Sequence, residues 1–139
     1  MSSTGYPEPF LALVAGRHRR RLGDAFGLGQ FGVNLCRLEP GAASSQRHWH
    51  EKEDEFVYVL EGEVVLVTDA GETVLGPGMV AGFPAGRADG HHFVNRSDRD
   101  VLLLEIGTRA ADGERVVYPD VDLLYDSERG FLHKDGTPW

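Results

Sequence analysis

From Phe31 onward the chain is divided, at intervals of roughly ten residues, into short runs of valine, leucine, phenylalanine and tyrosine, each closed by a turn signal. This rhythm constrains the fold more than any other feature. Runs of this length are too short for ordinary helices and suit the strands of an antiparallel barrel or two-sheet sandwich. The spacing predicts strands over 31–38, 46–50, 55–61, 63–68, 72–75, 80–84, 91–95, 101–107 and 115–118. Between them stand Glu39-Pro40-Gly41, Glu61-Gly62, Asp69-Ala70-Gly71, Gly76-Pro77-Gly78 and Arg96-Ser97-Asp98-Arg99, whose residues favour tight turns. The expected fold class is therefore all-β, with short antiparallel strands closing on one core.

No linker, internal repeat or low-complexity tract interrupts the series, so residues 1–139 are expected to form one domain with its barrel core over about 31–107. Residues 1–30 make a less regular lead-in, with Tyr6-Pro7-Glu8-Pro9 disfavouring helix and a short strand possible over 19–22. In the tail, 120–139, the apolar Val121, Leu123, Leu124 and Phe131 suggest packing over the barrel or onto a partner subunit.

The net charge of −8 disfavours a nucleic-acid or anionic-membrane partner, which requires a positive field over the binding face. The basic run Arg17–Arg21 is expected to be a solvated strand edge or lead-in, with an anion or phosphate contact as the alternative. The apolar stretch 10–15 is too short to cross a bilayer. A lone Cys36 cannot form an internal disulfide and no secretory leader pattern opens the chain, so the expected compartment is the cytoplasm. Period-two spacing separates Phe31, Val33 and Leu35 from Asn34 and Cys36, and Cys36 is expected to be a packed strand residue.

The segment richest in chemistry is His48-Trp49-His50, followed by Glu51-Lys52-Glu53-Asp54 and then Glu55-Phe56-Val57-Tyr58-Val59. On a strand, His48 and His50 project from one face and Trp49 from the other. The four charged residues that follow read as a turn, which resets the alternation and lets Glu55 face the histidines. Val57 and Val59 then face inward with Glu55, and Phe56 and Tyr58 outward. A carboxylate among apolar barrel residues is costly without a compensating charge, and a bound cation supplies one. A further imidazole comes from Gly90-His91-His92-Phe93-Val94-Asn95, where alternation groups His91, Phe93 and Asn95 against His92 and Val94. Three imidazoles and a carboxylate suit one divalent transition metal (manganese, iron, cobalt, nickel, copper or zinc) and suit magnesium or calcium poorly.

These residues resemble the motifs of the cupins, small β-barrels of the jelly-roll kind. The first cupin motif runs Gly, spacer, His-x-His, three or four residues, Glu, six residues, Gly, and Gly41, His48, His50, Glu55 and Gly62 match it. Gly78, Pro84, Gly86, His91 and Asn95 match the second, but Arg87, Ala88, Asp89 and Gly90 fill a gap where two residues are usual. The resemblance, over about 31–107, implies metal ligands His48, His50, Glu55 and one of His91 or His92, with His91 favoured by its spacing to Asn95. The chain also looks like a group of single-domain bacterial cupins sharing Ser-x-Arg-His-Trp-His, Asp-Glu-Phe-Val-Tyr-Val-Leu-Glu-Gly and Gly-Phe-Pro-Ala-Gly segments, some labelled sugar-phosphate isomerases. Cupins commonly pair through edge strands, so a homodimer is implied.

The function expected from this set is a metal-dependent enzyme acting on a small polar metabolite such as a sugar or sugar phosphate, isomerase-like, through open coordination positions. The alternatives are an iron- or copper-dependent dioxygenase and a non-catalytic module that binds or senses a small molecule. His92 and Tyr58 are the candidates for proton transfer. Arg47, Arg87, Asp89, Phe93 and Asn95 are the candidates for substrate contact.

Overall fold

The computed structural model describes residues 5–110 and 112–139. Its strands are β1 (Arg17–Arg21), β2 (Phe31–Leu38), β3 (Trp49–His50), β4 (Glu55–Glu61), β5 (Val64–Thr68), β6 (Gly71–Leu75), β7 (Val80–Phe83), β8 (His92–Val94), β9 (Val101–Thr108), β10 (Arg115–Tyr118), β11 (Leu123–Asp126) and β12 (Gly130–Leu132). The helical pieces among the described residues are single 3-10 turns over Glu8–Phe10, Ala12–Val14 and Asp24–Phe26, and no described helix is long and apolar enough to cross a membrane. Every pairing is antiparallel, as expected for an all-β cupin jelly roll.

One sheet has the order β1-β2-β9-β4-β7. The other side of the barrel is made of β12-β11-β10-β3 and β6-β5-β8. The two are joined where residues 41–48 run along β8: Gly41 N donates to Asn95 O, Ser44 N to Phe93 O, and His48 and His91 exchange both of their backbone hydrogen bonds. This irregular ladder is why β3 is shorter than the expected strand over 46–50.

Alternation places Cys36 and Leu38 of β2, Val57 and Val59 of β4, and Val101 and Leu103 of β9 between the sheets, where all six are at most 5% exposed. Cys36 is thus a packed core residue, and burial, ahead of the nearby Glu105 carboxylate, pushes its thiol up to about 12. The β4–β5 turn depends on Gly62, whose φ is +83° and whose added Cβ would meet Asp100 O at 2.8 Å. A second cluster, Tyr6, Val14, Val116, Tyr118 and Leu123, packs the lead-in and the tail against β10. The tail supplies β11 and β12, two strands absent from the sequence expectation.

The outer face of β2, β9, β4 and β7 carries two apolar rows. Leu35, Leu104, Tyr58 and Val80 form one row across four strands, and Val33, Ile106, Phe56 and Gly82 form the next. Phe56, Tyr58 and Val80 are 39%, 38% and 51% exposed.

Candidate metal centre

The expected donors converge from both sides of the barrel. His48 and His50 flank Trp49 at β3, and His91 is the cross-strand partner of His48, so their imidazoles stand side by side with ring centroids 4.8 Å apart. Glu55 opens β4 in the opposite sheet, between Gly107 and Phe83. The residues between, 51–54, leave strand geometry and carry the chain from one sheet to the other. His91 Nε2, His50 Nε2 and His48 Nε2 lie 2.7, 3.1 and 3.4 Å from the same oxygen, Glu55 Oε1.

The outer nitrogens of two rings are engaged elsewhere. His48 Nδ1 donates to Gln46 O at 2.8 Å, and His50 Nδ1 lies 3.2 Å from Glu114 Oε2. These bonds favour the tautomer in which Nε2 presents its lone pair inward, which is how a second layer of hydrogen bonds orients a metal-binding imidazole. His91 is held by its ring, stacked on Phe83 at 3.6 Å and 5°.

This arrangement fits a cation. His50 Nε2 is buried and makes no aligned hydrogen bond, and single donor atoms of His48, His50 and Glu55 all lie within 4.8 Å of one another. Three nitrogen lone pairs facing one carboxylate oxygen repel unless protons or a metal ion stand between them. Burial by itself would raise the Glu55 carboxyl, but the imidazoles of His48, His50 and His91 gathered around it hold it well below the usual carboxylate range. Burial would lower His50, and the surrounding carboxylates of Glu55, Glu114 and Glu53 raise it instead. For His91 burial prevails and the value falls.

His92 lies outside this group: its Nδ1 donates to Ser45 O at 2.8 Å, and it lines neither cavity at the cluster. The segment 87–90, two residues longer than usual, is pinned by Arg47, which donates to Gly90 O at 2.9 Å and pairs with Asp69 and Asp120. That anchoring turns His91 rather than His92 toward Glu55.

Two cavities meet at the cluster. The larger, about 410 Å³, extends into the barrel, and the smaller, about 270 Å³, opens past Trp49, Phe83, Arg87 and Asp89. Of the residues expected to contact substrate, Phe93 lines the larger cavity, and Arg87 and Asp89 line the smaller. Arg47 and Asn95 line neither. Arg47 is committed to its two carboxylates, and Asn95 is fully buried with its amide bonded to Leu38 O, Arg99 O and Ser97. Tyr58 lies on the outer sheet face, as parity from Glu55 requires, away from both cavities. The proton-transfer candidates His92 and Tyr58 are therefore not brought to the cluster.

Other residues are brought there. Glu53 borders both cavities, and burial raises its carboxyl, aided by the Glu114 carboxylate and opposed by the Ala110 amide that donates to it. Tyr118, Arg17, Arg19 and Glu105 line the larger cavity. Parity within Arg17–Arg21 groups Arg17 with Arg19, and that was the signal available for them.

A family model described as "Cupin domain" matches residues 34–107. The chain is 51% identical to a sugar phosphate isomerase of the cupin superfamily from Silicibacter pomeroyi DSS-3, with a TM-score of 0.91 over 98% of this chain and 88% of that one. It is 35% identical to a protein provisionally called a sugar phosphate isomerase from Acidithiobacillus ferrooxidans ATCC 23270, with a TM-score of 0.74 over 79% and 69% of the two chains. A polyketide cyclase from Streptomyces resistomycificus is 28% identical, with a TM-score of 0.60 over 69% and 67%. No curated protein matches the chain.

Proposed function

The chain belongs to the cupin family, and from that premise we propose that it is a metal-dependent enzyme acting on a small polar metabolite, a sugar or sugar phosphate, in an isomerase-like reaction. The observation that carries this proposal is the convergence of three imidazole nitrogens on one carboxylate oxygen at the meeting point of two cavities. Similarity to the Silicibacter protein supports the substrate class.

His48, His50, Glu55 and His91 hold the metal, and the four donors leave positions open on a five- or six-coordinate ion. The bound metal supplies polarisation of a carbonyl or hydroxyl oxygen. Glu53 borders both cavities beside His50 and takes or returns the proton. Phe83 and Phe93 exclude water from one side of the cluster, while Arg87 and Asp89 are available to substrate at the mouth of the smaller cavity.

Elemental analysis of the purified protein, repeated on Glu55→Gln, tests the ligand set. About one transition-metal ion per chain, strongly reduced in the variant, is expected; unchanged stoichiometry refutes it. Turnover of aldose and ketose phosphates, followed by NMR with the metal found, tests the reaction.

We also propose a homodimer. The support is the outer apolar face of β2, β9, β4 and β7, which suits sheet-on-sheet packing against its own copy.

A further inference from the structure

Alternation along β1 sends Arg17 and Arg19 inward while His18 and Arg20 face solvent. The two inward guanidinium groups meet at one carbonyl: Arg17 Nη1 donates to Ser44 O at 2.8 Å, and Arg19 Nη2 reaches the same oxygen at 3.4 Å. Arg19 also grips Glu105 with two donors, Nε at 2.7 Å and Nη2 at 3.2 Å, which fixes the plane of its fork. Both arginines line the cavity of about 410 Å³ that contains His48, His50, Glu55 and His91. Arg17 is only 8% exposed. A solvated strand edge, the expectation from the sequence, accounts for His18 and Arg20 but not for two adjacent cations turned into the barrel. Placing like charges side by side in a low-dielectric cavity is unfavourable. Burial, and after it Arg19, lowers the Arg17 value. Glu105 offsets one of the two positive charges, the three groups together remain net positive, and planar guanidinium groups match the oxygens of phosphate or carboxylate.

We propose that Arg17 and Arg19 form an oxyanion subsite that takes the phosphate or carboxylate group of a small ligand whose hydroxyl or carbonyl oxygens lie at the histidine and glutamate cluster. This rests on the assignment of that cluster as a metal centre and names the charged end of its ligand. The cavity volume accommodates a molecule that spans the two ends. The anionic group enters from the barrel side, opposite Arg87.

The test is titration of the protein as isolated with inorganic phosphate and, in parallel, malonate, by calorimetry, alongside metal analysis of the same samples. Arg17→Met is expected to weaken anion binding about tenfold or more with metal content unchanged, and Arg96→Met, at an exposed ion pair with Glu72 outside both cavities, to leave it unaltered. The stronger of the two anions identifies phosphate or carboxylate as the natural group. Equal anion affinity in Arg17→Met and wild type overturns the subsite. A wild-type protein that holds no metal, yet loses anion binding on Arg17→Met, overturns the metal centre and leaves the subsite standing. Should Arg17→Met not fold, the Arg Nε–H signals of isotope-labelled wild type decide: two must shift on phosphate addition, and none shifting refutes the proposal.

Discussion

Asn95 is the residue for which sequence and structure assign the most different roles, and replacing it separates them. Its amide makes four hydrogen bonds: Nδ2 donates to Leu38 O at 2.9 Å and to Arg99 O at 2.7 Å, and Oδ1 accepts from Ser97 N at 3.0 Å and Ser97 Oγ at 2.7 Å. The side chain is fully buried. At ~1 kcal/mol per bond, Asn95→Ala is expected to cost about 4 kcal/mol, which in a domain of this size lowers the melting temperature by about 10–15 °C. Asn95→Asp keeps the shape but turns a carboxylate oxygen toward the carbonyls of Leu38 and Arg99. Only the protonated acid can donate there, so the folded state raises that carboxyl above its unfolded value of ~3.9. The penalty is therefore small below the unfolded value and grows as pH rises through the window up to the folded one. Calorimetric melting of wild type and both variants at pH 4 and pH 7, with metal analysis of each folded sample, reads out these expectations. An Asn95→Ala protein that melts within ~2 °C of wild type but loses metal or ligand refutes the structural role.

Three further outcomes are expected. His91→Ala loses most of the bound metal and His92→Ala keeps it, measured by elemental analysis; the reverse result moves the ligand one residue along the chain. Stripping the metal with a chelator lowers the melting temperature, because an ion at a thousand times its dissociation constant contributes ~4 kcal/mol to the native state; an unchanged melt shows that the cluster holds nothing tightly. Leu104→Glu, at the centre of the apolar face, halves the mass seen by sedimentation; a wild-type monomer refutes the dimer.

Legibility in the sequence followed the range of the interactions. His48, His50 and Glu55 lie within eight residues, and their convergence follows from strand parity and one turn. His91 needed the motif spacing, and the insertion before it became interpretable only through the Arg47–Gly90 bond, which links residues far apart in the chain. Arg17 and Arg19 were expected at a solvated edge, with an anion contact as the alternative, and Tyr118 escaped notice as a site residue, because which face turns inward depends on pairing with β2 and β3. Asn95 shares the face of His91, and the alternation that revealed the kinship could not reveal that it sits deeper, under the 95–99 turn. The strands β11 and β12 were missed because runs of four and three residues are too short to display an alternation, and packing against Tyr6 and Val116 supplies what propensity lacks.

The origin of the four donors in two facing sheets also has a kinetic side. β2 and β9 pair Phe31 with Thr108, so closure of the barrel awaits contacts between distant parts of the chain, and such topologies fold slowly. The segment 48–55 collects three donors early in sequence, but it turns a corner between the sheets, and His91 joins 36 residues after Glu55. A cation therefore finds its full set of donors only after the sheets have met, late on the folding path. A metal ion bound there would slow unfolding far more than it would speed folding, and would leave its imprint on the lifetime of the native protein rather than on the rate at which it forms.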